Sequence, residues 1–291
     1  MGLRIRTNAS SLTAQRNLRQ NNTDLNNSTA KLSSGFRINK SKDDAAGLAI
    51  SENLRARTRG LSQAKRNAAD GISMIQIAEG GMNEMTNILV RMRELTVQAS
   101  SDTVGDRERT FLNKEYVQLA DEIDRITSTT QFNGNKFFTE NDGRTEYVLQ
   151  VGVNGTAPDE NQDTISLNLE GLQFTTEDLG IGKESEIGAL DVGDSVDREE
   201  IASKLTVIDD ALSRVASERA TLGALQSRVE STIKSLDVSI ENESAAMSRI
   251  RDVDFAKESA NMAQARIMNQ SSISVLAQAN TTPETALALI R

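Results

Sequence analysis

Apolar residues recur along this chain in alternating steps of four and three. The longest such run stops at Leu61, Ala64, Ala68, Gly71, Ile75, Ala78, Met82, Met85, Leu89, Met92, Thr96 and Ala99, with no proline between them. That spacing lays one stripe along an α-helix and is the heptad signature of helices packed side by side. A helix over these residues extends roughly 58 Å at about 1.5 Å per residue. That is too long for a compact core of its own, so it needs partner helices laid along it.

The same rhythm predicts the partners. Ala14, Leu18, Asn21, Leu25, Ser28 and Leu32 mark an N-terminal helix whose seam is half polar, so it is marginal alone and stable only when packed. Gly35 sits where a glycine ends a helix. Ser41, followed three residues later by Asp44, reads as a variant capping box that opens the central helix. Asp43 and Asp44 then serve the helix dipole rather than metal or acid chemistry. After a polar turn from Ser101 to Asp106, Leu112, Tyr116, Leu119, Ile123 and Ile126 predict a third helix, folded back antiparallel on the central one. The cleanest seam is Leu205, Ile208, Leu212, Val215, Arg219, Leu222, Gln226, Val229, Ile233, Leu236, Ile240 and Glu243, where nine of twelve stops are strongly apolar. From about residue 250 the pattern is helical again, but Met262, Ile267, Met268, Ile273, Val275 and Leu276 share no single stripe, so several faces are expected to be buried. Pro283 predicts a short break before a last apolar turn, Ala286 to Ile290.

Between these helical halves the period changes to two. Tyr147, Leu149, Val151 and Val153 alternate with neighbours of another character, as do Ile165, Leu167 and Leu169, which reads as strands. Gln131 to Lys136 reads as a turn around Asn133-Gly134, and Asn154 to Asp159 as loop. The expected fold is mainly α: a long antiparallel helical bundle or coiled-coil rod formed by both chain ends, with a small β-rich mid-chain excursion. Residues 1–40 and 250–291 are the terminal helices, 41–130 and 196–249 the helical rod, and 131–195 the β-rich insert, placed as a module at one tip.

Composition narrows the function. Of 291 residues 37% are apolar and 3% aromatic, which suits thin helical seams better than one large core. A net charge of −9 argues against nucleic acid as a partner, because phosphate binding needs clustered cations. The chain has no cysteine and no histidine, which removes disulfides, thiolates and the commonest general base. Ser, Lys and carboxylates do not gather into a nucleophile–base pair, so the expectation is a non-enzyme with no catalytic residue, cofactor or metal. The segment from Met1 to Asn8 carries charge without an apolar stretch behind it, unlike a secretory signal peptide. No apolar run is long enough for membrane insertion. Asn-x-Ser/Thr triplets at Asn8, Asn21, Asn26, Asn154, Asn242 and Asn269 are what chance gives in a chain rich in Asn and Ser.

Several stretches together resemble bacterial flagellin. They are Ser11 to Leu18, Leu32 to Asn39, Asp43 to Ile50, Arg93 to Gln98, Glu122 to Ile126 with Gln131 to Gly134, Ile250 to Ala256 and Gln278 to Asn280. The likeness covers about residues 1–140 and 200–291. It implies a structural subunit that polymerises into the flagellar filament for motility, with a hook–filament junction protein as the alternative. A chemoreceptor-like signalling rod fits less well, because it has no counterpart to the β excursion. The resemblance further implies terminal helices that form an inner coiled-coil tube and are disordered in the free subunit. It implies an inner rod that forms the filament's outer wall and an insert that faces solvent. The implied partners are other copies of the chain in a helical homopolymer, the flagellar export apparatus and its chaperone, and the filament cap and hook-associated proteins. The implied location is the extracellular filament, reached unfolded and without a cleaved signal peptide.

A surface patch follows from the same likeness. In flagellins sensed by the innate-immune Toll-like receptor, the receptor contacts an Arg and a Leu in the motif matched by Arg91 and Leu95, and a Glu matched by Glu115. Leu95 lies at the flank of the central seam, on the stripe of Ile88, Arg91 and Gln98. Two readings of it stay open: packing on the third helix against Leu112 and Tyr116, or membership of an intersubunit contact.

Overall fold

The computed structural model describes residues 8–138, 146–154, 163–168, 170–181 and 198–288. The predicted features at Met1–Thr7, the loop residues Gly155 to Asp159, Leu169 and the last residues after Ala288 lie outside them. Five α-helices are described: α1 (Ala9–Ser34), α2 (Ala45–Ala99), α3 (Asp106–Thr129), α4 (Arg198–Arg251) and α5 (Phe255–Ala288). Two antiparallel hairpins lie between α3 and α4. One pairs β1 (Gln131–Phe132) with β2 (Asn135–Lys136), the other β3 (Glu146–Gln150) with β4 (Thr164–Asn168). The fold is mainly α, as the spacing predicts. The chain divides into two compact units, Met1–Thr58 with Glu241–Arg291, and Arg59–Ile240.

In the Arg59–Ile240 unit, all twelve stops of the α2 seam are buried. Helix α4 runs antiparallel to α2: Arg93 Nε donates to Asp209 Oδ1 at 2.6 Å and Lys65 Nζ to Asp237 Oδ1 at 2.6 Å. These pairs are four heptads apart on both helices, which fixes one register over that length. Helix α3 is also antiparallel to α2, since Arg91 meets Glu115 while Gly81 lies beside Thr130. The α4 seam splits in two. Ile208, Val215, Leu222, Val229 and Leu236, each a heptad apart, are buried. The alternate stops, Leu205, Leu212, Arg219, Gln226, Ile233 and Ile240, are only half-buried. That is why α4 tolerates Arg219 and Gln226 in its seam: they stand on the half-open stripe, where long polar side chains keep their heads in water.

The β excursion is not the separate tip module that the alternating pattern suggests. Phe137, Phe138, Leu172, Phe174, Leu179 and Ile181 belong to the same buried core as Met82, Met85 and Leu89 of α2. Phe138 stands 5.8 Å from the Phe174 ring and 6.3 Å from that of Phe137, centroid to centroid. The β3–β4 hairpin lies along the helices, with Leu149, Val151 and Ile165 packed around Ala68 and Val229. Asn67 Nδ2 donates to the Gln150 carbonyl at 3.0 Å. Three glycines make this possible. Gly60, Gly71 and Gly81 are about three helical turns apart on one stripe of α2. A Cβ at Gly60 would come 2.7 Å from Val153, one at Gly71 would run into Leu149, and one at Gly81 would stand 2.8 Å from the Phe138 ring. The trough is an absence of side chains, which a hydrophobic pattern does not register. The Asn133-Gly134 turn has φ of 50° and 82°, the type I′ geometry that suits a two-residue hairpin. Tyr116 is buried in the same core, and burial pushes its hydroxyl pKa up to about 12.

In the other unit α1 packs on α5, and the buried and half-buried positions of both follow the four-three rhythm. On α1 they include Ser11, Ala14, Leu18, Asn21, Leu25, Ser28 and Leu32; on α5, Glu258, Met262, Ala265, Asn269, Ser272, Leu276 and Ala279. The seam is half polar, and its polar members pair across it. Ser11 Oγ donates to Asn280 Oδ1 and Asn21 Nδ2 to Ser272 Oγ, both at 2.7 Å. The two connectors beyond α1 and α4 also pair. Phe36 and Asp252 form an antiparallel bridge, Arg37 N donates to the Arg251 carbonyl at 2.7 Å and Val253 N to that of Gly35 at 3.0 Å. The Arg251 guanidinium covers the Phe36 ring at 4.6 Å and donates to Glu52 at 2.6 Å. Gly35, with φ of 76°, ends α1 as its position predicts.

Two local expectations are corrected. Ser41 does not cap α2. The helix begins at Ala45, and Asp44 Oδ1 accepts from Gly47 N at 2.8 Å, the N-cap bond. Asp43 folds the turn before it by accepting from Lys40 N and Asn39 N; the Lys40 bond above all holds its carboxyl below the usual range. Pro283 does not break α5, which continues through it to Ala288. Proline has no N–H, so the Ala279 carbonyl loses its helical donor. Asn8 Nδ2 supplies the replacement at 2.8 Å, and the helix runs on.

Candidate assembly and recognition surfaces

Helix α5 is apolar on more sides than α1 can cover. Phe255, Ile267, Met268, Ile273 and Val275 are exposed, Ile267 by 65%. The stripe facing α1 meanwhile contains Glu258, Asn269 and Ser272. Leu12 adds exposed apolar surface on α1. A helix apolar all round belongs in the interior of something larger, and a contiguous exposed apolar surface marks an interaction site.

Glu258 is the one carboxylate among the buried residues of this seam. Burial pushes its pKa up, but hydrogen bonds from Ser28 and Asn261, with Lys31 and Lys257 nearby, outweigh that and leave it lowered from 4.5. A lowered pKa contributes stability above the unfolded value and loses it as the pH falls through the folded one. The α1–α5 pair is therefore expected to loosen below about pH 4.5, and Glu258→Gln to flatten that dependence. Hydrogen exchange of α1 and α5 against pH reads this directly.

The second surface is built on α2 and α3. Arg91 Nη2 and Nε both donate to Glu115 Oε1, at 2.7 and 2.9 Å, and Nη1 to Glu94 Oε2 at 2.9 Å. Hydrogen bonding to Glu115, then to Glu94, raises the Arg91 pKa from its usual value. Arg91 and Glu115 are half exposed, 50% and 45%. Leu95 is 1% exposed and lies in the core cluster with Tyr116, so of its two readings the structure shows the packing one. Val90 and Val97, a heptad apart on α2, and Phe111, one turn before Glu115 on α3, are exposed apolar residues beside the pair. The sequence reading passed over them because they stand off every seam.

No catalytic arrangement emerges among the described residues. Among the described residues no group of His, Cys, Asp or Glu could hold a metal, and no helix is long and apolar enough to cross a membrane. A groove of about 490 Å³ between β4 and α4, lined in part by Asn168, Gly171, Glu218, Thr221 and Arg228, is flanked by charges without a nucleophile–base pair.

The comparisons with known proteins fall on the helical halves and then on the whole chain. A family model described as the bacterial flagellin N-terminal helical region matches residues 5–142, and one described as the C-terminal helical region matches residues 205–290. The chain belongs to the bacterial flagellin family. Flagellin of Halalkalibacterium halodurans is 43% identical over 99% of both chains. Flagellin of Bacillus subtilis is 40% identical over 99% of this chain and 100% of its own. The flagellar filament 33 kDa core protein of Treponema phagedenis is 40% identical over 99% of both. As a flagellin the chain is a structural filament subunit, and the full-length likeness includes the residues of the β excursion. A putative flagellar hook-associated protein from Vibrio parahaemolyticus has a TM-score of 0.60 over 72% of this chain and all of its own, at 15% identity. That shows a shared fold and does not favour the hook-junction alternative.

Proposed function

We propose that the subunit polymerises through the α1–α5 pair, buries the outward faces of α5 against neighbouring copies, and so builds the inner tube of an extracellular filament. The observation that carries this is the distribution of apolar residues on α5: Ile267, Ile273 and Val275 stay exposed although α1 packs on the helix. Residues 41–130 and 196–249 serve as the outer rod, and residues 131–195 are the insert, whose described residues around Phe138, Leu149 and Phe174 pack against α2. Ordering one residue costs about 1–2 kcal/mol, and a half-polar seam offsets little of that, so the terminal pair is mobile in the free subunit and ordered in the polymer. Export through the flagellar channel without a cleaved leader, with a chaperone, and placement beneath the cap and beyond the hook-associated proteins complete the reading. Purified chain seeded with filament fragments and viewed by negative-stain microscopy tests the polymerisation. Long uniform filaments are expected; amorphous aggregate alone would overturn it.

The patch of Arg91, Leu95 and Glu115 is proposed as a recognition site for the innate-immune Toll-like receptor on the free subunit, hidden after assembly. Arg91 and Glu115 make the contact, with exposed Phe111 and Val90 beside them, while buried Leu95 holds α2 against α3. Arg91→Ala is expected to leave the helical spectrum and melting transition in place while weakening receptor binding and slowing assembly. Unchanged receptor signalling by that variant would remove the patch from the reading. Leu95→Ala is a poor probe, because truncating a buried leucine costs about 2–5 kcal/mol of stability by itself.

A further inference from the structure

A repetitive seam such as α1–α5 leaves its own alignment in doubt, because a slip of one heptad sets similar residues opposite one another. The stops on α1 are Ala, Leu, Asn and Ser in mixed order, and those on α5 are no more distinctive. Something position-specific has to choose. Within α5 Asn21 Nδ2 reaches the Met268 carbonyl at 3.3 Å, but that carbonyl, like most in the helix, already receives a helical N–H. Pro283 leaves one that does not, at Ala279. Asn8 meets it with both ends of one amide. Its Oδ1 accepts from Ser11 N at 3.0 Å and so caps α1, and its Nδ2 donates to the Ala279 carbonyl at 2.8 Å. One turn on, Ser11 Oγ donates to Asn280 Oδ1. Farther along the seam Asn269 Nδ2 donates to Asn22 Oδ1 at 2.6 Å.

We propose that Asn8 and Pro283 form a register lock. The proline leaves the Ala279 carbonyl without its helical N–H, and the asparagine that caps α1 meets it in the alignment seen here. In a slipped alignment Asn8 no longer reaches the Ala279 carbonyl, and the bond that also ties the cap of α1 to α5 is lost. The lock settles how far along α1 the exposed residues Phe255, Ile267, Ile273 and Val275 of α5 stand, and so the level at which each is offered to a neighbour. It deepens the assembly reading and rests on it only for the use made of the alignment.

The test is a cycle of substitutions at both halves of the lock, read by crosslinking. The chain has no cysteine, so introduced pairs report without background. Asn22→Cys with Asn269→Cys reports the native alignment, and Asn22→Cys with Met262→Cys reports a slip of one heptad. Both are measured in the full-length chain, in soluble subunits and in sedimented polymer. Asn8→Asp keeps the capping oxygen and removes the donor. It is expected to lower the ratio of native to slipped crosslink by roughly 5- to 30-fold, the effect of one lost hydrogen bond at a partly buried carbonyl. Pro283→Ala returns an N–H to Ala279 and makes Asn8 redundant there. Asn8→Asp in the Pro283→Ala chain is therefore expected to restore the ratio shown by Pro283→Ala alone. An equal loss with and without Pro283, or no loss from Asn8→Asp in the parent chain, would overturn the lock. Failure to polymerise would count against the assembly reading instead, because crosslinking of soluble chains still traps the transient native and slipped pairings of the mobile helices and so gives their ratio.

Discussion

Phe138→Ala is expected to lower the stability of the Arg59–Ile240 unit by about 3–5 kcal/mol, the range for truncating a fully buried phenylalanine. Phe138 has no exposed surface and joins three parts of the unit. Its ring faces Phe137 and Phe174, its carbonyl accepts from Phe174 N at 3.4 Å, and its edge fills the trough at Gly81. On the α2 side the wall is the backbone of Gly81, which has no side chain to fill the void. Urea unfolding followed by circular dichroism measures the loss. A change below about 1 kcal/mol, the scale of an ordinary surface substitution, would mean that the β excursion is a dispensable module after all. The trough adds a second arm. In the parent chain Gly81→Ala presses a methyl against the Phe138 ring and is expected to destabilise. In the Phe138→Ala chain the ring clash is gone and only the Thr130 side chain, 3.1 Å away, must give, so the two substitutions are expected to be non-additive.

Removing residues 277–291 is expected to abolish polymerisation while most of the helix remains. The cut takes away the Ala279 carbonyl and the Asn280 side chain, the two α5 groups that hold the start of α1. The buried seam of α2 and its partners on α4 lie in the other unit and are untouched. Sedimentation after seeding and far-ultraviolet circular dichroism read the two halves of this expectation. Filaments from the shortened chain would contradict it, and collapse of the helical signal would show that the units are not independently stable.

The helices were legible because their information is periodic. Each stop from Leu61 to Ala99 restates the same stripe, and all of them are buried. What escaped was whatever depends on a single position or on a missing group. Gly71 was read as a seam stop, which it is, but its second use, admitting Leu149, shows only when the strand is in place. Pro283 was read as a break because its local chemistry forbids one hydrogen bond. The donor that replaces it comes from Asn8, at the opposite end of the chain. Leu95 is one step off the α2 stripe, and only the third helix decides whether that flank is open or closed. The proposed recognition pair rests on likeness rather than physics, since an exposed Arg91 and Glu115 carry no periodic signal. Family membership was legible in the motifs of both helical halves.

The burial of Tyr116 has an optical consequence. The chain contains no tryptophan and two tyrosines, so ultraviolet absorption and emission from the folded rod come from very few rings, and one of them is sealed in the core. Phenolate absorbs at longer wavelength than phenol, and Tyr116 keeps its proton until about pH 12. Once the pH passes the unfolded value near 10, the unfolded chain releases that proton and the folded chain does not. The difference weakens the fold by on the order of 2–3 kcal/mol across that interval. Alkali will therefore redden this ring and open the core around it in one event, so the colour change is a clock for the rod's unfolding that needs no added label.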